Sequence, residues 1–302
     1  SILDSSRVVE SIKALLTSTN VNIKNVTLSL SGHSSVIIKR VTLPQMSEDE
    51  LGDSIKFEAE QYIPFDIEDV YLDFQILGLA DKENMMDVLI VAAKKDKINE
   101  YVTVVKEAGL NPVIVDVDAF ALENMFEQNY EIKPEENTAI VNLGASMINI
   151  NILKGGMSVF TRDSTIGGNL HTEALQKEFT ISYANAEKLK QEGVMEGISK
   201  EDVSAVLDPA SEDIIAEIAR SFDYFRDTTN YEGIHHIILC GGGALTTGFA
   251  ALLEERSGIH VKIAESLKNI QIPDSFDKEY LKKIEPIIAV AVGLALRKLG
   301  DK

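Results

Sequence analysis

Ile237-Ile238-Leu239-Cys240-Gly241-Gly242-Gly243-Ala244 is a short apolar run that ends in three consecutive glycines. Its length and the bounding glycine predict an interior strand, and Thr246 to Glu255 then offers a helix with Phe249, Leu252 and Leu253 on one face. Strand, glycine turn, helix is the expected order. Glycine permits positive φ and removes the Cβ, so a flat ring or a phosphate can lie on the backbone with N–H groups aimed at it. The same turn also serves to pack a helix on a sheet. The run matches neither the phosphate loop ending in Gly-Lys-Ser/Thr nor the dinucleotide fingerprint, so both readings stay open on this stretch alone.

Upstream, Thr138 to Ser146 and the alternation of Ile148, Ile150 and Ile152 with Asn149 and Asn151 predict β-hairpins, with Lys154-Gly155-Gly156 turning the chain into Met157–Arg162. Gly144 stands at one hairpin mouth. Thr165-Ile166-Gly167-Gly168-Asn169 leads into a helix carrying Leu170, Ala174, Leu175 and Phe179. Ser182 is expected to cap a further helix, and Ser211 another with Ile214, Ile215, Ile218, Phe222 and Phe225. A loop is expected over residues 265–284, with Pro286 suited to the first position of a last helix.

The first part of the chain has its own rhythm. Asp4 or Ser5 can cap a helix ending before Asn20, and strands follow at Val26–Ser31 and Ser35–Leu43. Ser47-Glu48-Asp49-Glu50 is a capping box for a helix to about Tyr62, with Leu51, Ile55, Ala59 and Tyr62 on one stripe, ended by Pro64. Strands at Val70–Ile76 and Met86–Ala93, a helix at Asp96–Ala108 and a strand at Pro112–Val117 complete a module. Asp118–Gln128 is a helix, and Tyr130–Asn137 is the best boundary in the chain.

Composition bounds the function. The 302 residues, 45% hydrophobic and 25% charged, are enough for two domains with a sizeable core. With 29 basic against 48 acidic residues the net charge is −19, which disfavours sequence-blind binding to nucleic acid or anionic lipid. Cys240 is the only cysteine, which excludes an internal disulfide and a multi-thiolate metal site and fits a reducing cytoplasm. No apolar run is long enough to span a membrane, and the start lacks the order of a signal peptide.

Three glycine turns, around Gly144, Gly167-Gly168 and Gly241–Gly243, resemble those of the actin/FtsA/DnaK-type superfamily. Ser34-Ser35-Val36-Ile37-Ile38-Lys39-Arg40 running on into Val41-Thr42-Leu43-Pro44, and Phe57-Glu58-Ala59-Glu60-Gln61-Tyr62-Ile63-Pro64-Phe65, resemble the PilM branch, as does Val115–Leu122. The resemblance runs through most of the chain. It implies an α/β, actin-like (FtsA-like) two-domain fold with an inserted α+β subdomain. The implied division is 1–33 for the start of the first domain, 34–115 for the insertion and 116–137 for the connection. Residues 138–284 form the second domain, with a helical subdomain at about 180–235, and residues 285–302 a C-terminal helix returning to the first.

The resemblance also implies ATP and Mg²⁺ as ligands. Gly144, Ala145 and Ser146 correspond to a phosphate-binding hairpin, with Gly167 and Gly168 beside it, and Gly241, Gly242 and Gly243 to the adenosine turn. Glu187 and Lys190 match a Glu-x-x-Lys pair that reaches ribose and adenine; by spacing alone they equally suit a solvated helical ion pair. Asp116 and Asp118 fall where the superfamily places a residue near the attacking water, and a helix cap is the simpler role. Asn142 stands where the family usually has aspartate, so it is expected to meet Mg²⁺ only through water and cannot act as a base. No catalytic residue is assigned. No Asp-Ile-Gly-Ser-Ser-Ser-Ile-Lys hairpin occurs near the start, so one phosphate loop is expected to be missing from the site.

What this implies is a cytoplasmic, nucleotide-binding assembly component of the type IV pilus machine, a scaffold with weak or no ATPase activity. Its implied partner is the N-terminal cytoplasmic segment of PilN, with Tyr62, Ile63 and Phe65 as contact residues, against the alternative that the aromatics close the module's core. Other inner-membrane platform and motor components and self-association are further implied contacts, with the membrane reached only through partners. The rival readings are a superfamily ATPase or kinase with turnover, and a nucleotide-free scaffold like the cytoplasmic part of a type II secretion component.

Overall fold

The structure is a computed structural model that describes residues 2–19, 21–32, 35–80 and 82–301. Asn20, before which a helix is expected to end, and Ser34, the first residue of the PilM-like stretch, lie outside the described residues, as does the expected boundary between 33 and 34. The chain divides into two compact units, Ser1–Val117 with Arg297–Lys302, and Asp118–Leu296.

The first unit runs α1 (Ser5–Thr19), β1 (Asn25–Leu30), β2 (Val36–Pro44), α2 (Glu48–Glu60), β3 (Val70–Leu79), β4 (Met85–Lys94), α3 (Lys95–Glu107) and β5 (Asn111–Val117). Strand β4 lies between β2 and β3 and is antiparallel to both. The capping box opens α2, with the Ser47 N–H donating to Glu50 Oε2 at 2.8 Å and the Glu50 N–H donating to Ser47 Oγ at 3.3 Å. Leu51, Ile55 and Ala59, four apart, are buried against Val41, Leu43, Val88 and Ile90 of the sheet. Strand β5 pairs in parallel with β1, Leu28 opposite Val115, rather than with the three-stranded sheet of the expected module. Helix α3 packs Val104 and Ala108 against Val9 of α1 and sends Ile98 and Tyr101 to Leu30, Val36 and Ala93, so its two faces serve two small cores.

The second unit runs α4 (Asp118–Asn129), β6 (Asn137–Leu143), β7 (Ile148–Lys154), β8 (Met157–Ser164), α5 (Asn169–Phe179), α6 (Tyr183–Glu192), α7 (Lys200–Thr228), β9 (His236–Cys240), α8 (Phe249–Ser257), β10 (His260–Ile263), α9 (Lys278–Ile284) and α10 (Ala289–Leu296). Its five strands are ordered β10-β9-β6-β7-β8. Successive side chains on a strand point to opposite faces, and both faces are covered here. Ala139, Val141, Leu143, Ile237 and Leu239 meet α7 and α8 through Ile214, Ile218, Phe225 and Phe249. Ile140, Ile238 and Cys240 meet α4 and α10 through Leu122, Met125, Ala289 and Val292. That two-sided burial is why the Ile237–Cys240 run carries no polar residue.

Four local expectations are corrected. Ser211 caps nothing: α7 runs unbroken through Pro209 and is capped by Ser199 with Asp202, leaving Ser211 buried inside it. An internal proline costs a helical hydrogen bond, but apolar residues on both sides of Pro209, Val203 and Leu207 before it and Ile214 and Ile215 after it, are buried and hold the helix together. The helix expected from Thr246 begins at Phe249, after a 3-10 turn at Gly242–Leu245 and Gly248 at φ 80°. The expected loop over 265–284 contains α9, capped by Asp277, and Pro286 precedes α10 by a turn rather than opening it.

Candidate functional site

Strands β6 and β9 run parallel, with Asn142 opposite Cys240, so they end side by side. The hairpin mouth at Gly144 and the turn at Gly241 therefore leave the sheet at the same edge. Contact between them explains two of the three glycines. A Cβ on Gly241, at φ 84°, would sit 2.4 Å from the Leu143 carbonyl oxygen, and one on Gly243 would sit 2.3 Å from Leu143 Cγ. Gly242 differs: no atom lies within 4 Å of the place its Cβ would occupy. The second turn is clasped to the first by N–H donation from Gly168 to the Gly144 oxygen at 2.8 Å and from Asn169 to the Ala145 oxygen at 2.7 Å. A Cβ on Gly167 would press within 2.6 Å of the Ala145 oxygen, and the Cβ position of Gly168 lies 3.5 Å from Gly243 Cα. Three sequence-distant turns thus form one cradle.

Exposed at its rim, Ala145 and Ser146 have backbone N–H groups that make no backbone hydrogen bond among the described residues. Oδ1 of Asn169, at the start of α5, is buried without a hydrogen-bond partner among the described residues. Free donors at a turn and an unmatched acceptor suit a phosphorylated ligand and the water around its cation.

Beside the cradle sits a polar cluster. Lys190 is 4% exposed, and its Nζ lies 2.6 Å from Glu187 Oε1 and 3.0 Å from Thr172 Oγ1. Thr172 in turn donates to Glu187 and lies on the first turn of α5, four residues after Gly168. Burial works to raise the Glu187 carboxyl, but the hydrogen bonds from Lys190 and Thr172 and the lysine charge hold it below its ordinary value. The pair is therefore not a solvated helical ion pair. Its helix is tied to the third turn by Thr247, whose N–H donates to the Lys190 oxygen and whose hydroxyl donates to the Gln191 oxygen, each at 2.9 Å.

Under the cluster, His171 is buried, with Nε2 at 2.9 Å from Ser211 Oγ and Nδ1 at 3.5 Å from Thr246 Oγ1. Burial first, and the Lys190 charge second, push its pKa down to about 4, so the ring is neutral at pH 7. Asn142 places its Oδ1 2.6 Å from the Cβ position of Gly241. Burial pushes the Cys240 thiol well up, which makes it core rather than nucleophile.

Asp116 is buried on β5, accepts from the Val117 N–H at 2.8 Å, and has Oδ2 2.9 Å from Arg297 Nε, close enough for charge pairing although that N–H is not aligned for a hydrogen bond. Asp118 opens α4. In the first unit, Ile63 is 6% exposed and belongs to the core of the β2-β4-β3 sheet, so it offers no side chain to a partner. Phe65 packs on the same core under Lys94 Nζ, 4.3 Å from its ring centre, and Tyr62 remains at the surface. Sequence reasoning missed Thr172 and His171. Only Thr172 carried a usable signal, its spacing from Gly168.

The family model described as type IV pilus assembly protein PilM matches residues 1–299. The chain belongs to the PilM family. A solved PilM–PilN type IV pilus biogenesis complex contains a chain 27% identical, with a TM-score of 0.82 over 98% of this chain and 86% of that one. MreB5 of Spiroplasma citri bound to ADP is similar at 16% identity and a TM-score of 0.54, covering 98% of this chain and 75% of that one. The fold is actin-like, as the PilM resemblance implied. Among the described residues no helix is long and apolar enough to cross a membrane.

Proposed function

We propose that the cradle formed by Gly144–Ser146, Gly167-Gly168 and Gly241–Gly243 binds ATP with Mg²⁺, and that the protein is an assembly scaffold that binds the N-terminal cytoplasmic segment of PilN. The observation that carries the nucleotide reading is the meeting of the three turns with the Glu187–Lys190–Thr172 cluster at one sheet edge. Ala145 and Ser146 would donate to phosphate oxygens, Gly242 leaves room for the base, and Lys190 and Glu187 bound the ribose side. Magnesium, when bound, neutralises phosphate charge; it keeps several waters. Asn142 offers an uncharged acceptor to such a water. Among the described residues no group of three His, Cys, Asp or Glu side chains could hold a metal directly, so the phosphates would supply most of the anchoring. An amide cannot take a proton from an attacking water, which favours binding over turnover.

Support for PilN as partner comes from family membership and from the likeness to a PilM bound to PilN. Tyr62 is an exposed aromatic just past the end of α2, and β2 and β3 are the outer strands of the three-stranded sheet in the same unit, on which an extended peptide can add a strand. Nucleotide alters partner affinity only if it favours one arrangement of the protein over another. Calorimetric titration with ATP and Mg²⁺, with and without a PilN N-terminal peptide, tests both. Saturable binding of each is expected. Absence of ATP binding overturns the nucleotide reading, and absence of peptide binding overturns the partner.

A further inference from the structure

Three polar side chains stand in a row across β6, β7 and β8. Asn142 Nδ2 donates to Asn149 Oδ1 at 3.2 Å, and Asn149 Nδ2 donates to Asp163 Oδ1 at 2.7 Å. The row follows the sheet register, because Asn142 faces Asn149 and Asn149 faces Asp163 directly across the strands. Asn149 is 8% exposed, so water does not compete freely for its amide.

The chemistry gives the row a direction. A carboxylate only accepts, whereas a carboxamide has one accepting and one donating end that can exchange places by a half turn. Asp163 therefore requires the NH₂ of Asn149. That leaves the Asn149 oxygen facing Asn142, which must answer with its own NH₂. The Asn142 oxygen is consequently turned to the third glycine turn, where it lies against Gly241. If residue 163 could donate, the whole row could reverse and present the NH₂ of Asn142 to the cradle.

We infer that Asp163 is a positioning residue that acts through Asn149 to hold the Asn142 carboxamide with its oxygen toward the cradle, as the acceptor for the water shell of the cation accompanying the nucleotide. This rests on the nucleotide reading above for its consequence, though not for its geometry. A carboxylate two side chains away thus fixes the polarity of the neutral residue at the site without placing a charge there. Outer partners of this kind set the orientation of metal-facing groups, and their loss typically costs about 10- to 100-fold in metal affinity.

Asp163→Asn tests it with two readouts. In the ligand-free protein, ¹⁵N NMR of the side-chain amides is expected to show the Asn142 and Asn149 NH₂ signals both displaced by the substitution. An unmoved Asn142 signal overturns the relay whether or not ATP binds, so failure of the nucleotide reading in the wild type is recognised separately. In ATP titrations, the gain in affinity that Mg²⁺ gives the wild type is expected to fall about tenfold in Asp163→Asn, with binding in EDTA unchanged. Equal loss with and without Mg²⁺ means that Asp163 only supports the sheet, and an undiminished Mg²⁺ effect means that Asn142 is not oriented by it; either result overturns the inference.

Discussion

Nζ of Lys190 on α6 lies 3.0 Å from Oγ1 of Thr172 on α5, so the Glu187–Lys190 ion pair is closed by a hydroxyl from a neighbouring helix. Three groups from two helices share one small polar space. Removing the cation leaves a partly buried carboxylate whose neighbours were built for a charge pair. Lys190→Met is expected to cost about 3 kcal/mol of stability, measured by urea unfolding, and to weaken ATP binding. Adding Glu187→Gln should recover part of the stability and none of the binding.

His171 gives a pH signature with a definite sign. The unfolded histidine takes a proton near its ordinary value of 6.5, whereas the folded one resists until about 4. Between those values the unfolded chain binds more protons, so stability falls as pH falls, by roughly 3 kcal/mol over the window. Lys190 and Glu187 are the charged groups acting on the ring, and the Glu187 carboxyl, held low, loses stability in the same direction. Comparing unfolding midpoints of wild type and His171→Gln from pH 7 to pH 4 isolates the histidine. A flatter profile in the variant is expected.

The glycine turn separates packing from binding. Gly243→Ala should destabilise by about 2–3 kcal/mol, because its Cβ has no room beside Leu143. Gly242→Ala should leave the melting temperature nearly unchanged, since its Cβ enters open space, and should lower ATP affinity if that space takes the base as proposed. Thermal melts with and without ATP check both. A normal affinity in Gly242→Ala would remove that residue from the site.

Tyr62 and Ile63 are adjacent but differ in exposure, Tyr62 at the surface and Ile63 in the core. Tyr62→Ala should weaken binding of the PilN peptide with little effect on unfolding. Ile63→Ala should cost about 2–4 kcal/mol through the cavity it opens. Unchanged peptide affinity in Tyr62→Ala would move the partner surface elsewhere.

Helix α10 supplies the sharpest packing test. A Cβ on Gly293 would sit 1.6 Å from the Ala121 carbonyl oxygen of α4, closer than any contact allows. Gly293→Ala is expected to separate those helices and to destabilise the protein by about 3 kcal/mol or more, read by denaturant unfolding.

Local chemistry wrote much of this protein into its sequence. The capping box at Ser47–Glu50 and the Gly155-Gly156 hairpin turn depend on neighbours within a few residues, and each formed where spacing placed it. The apolar run Ile237–Cys240 marked an interior strand, but the helices that cover its two faces come from distant parts of the chain. The three glycine turns were equally legible, because a run of glycine demands a close approach. What they approach was not. Leu143 against Gly243, Thr172 beside Lys190, and Asp163 two side chains from Asn142 join residues brought together only when β6 pairs with β7 and β9, when β7 pairs with β8, and when α5 packs on α6. Ser211 shows the limit most plainly, for its capping chemistry was outweighed by the burial of α7 on both sides of Pro209. Sequence determines which backbone conformations and periodicities are cheap, whereas tertiary packing decides which side chains lose their water and therefore which must find one another.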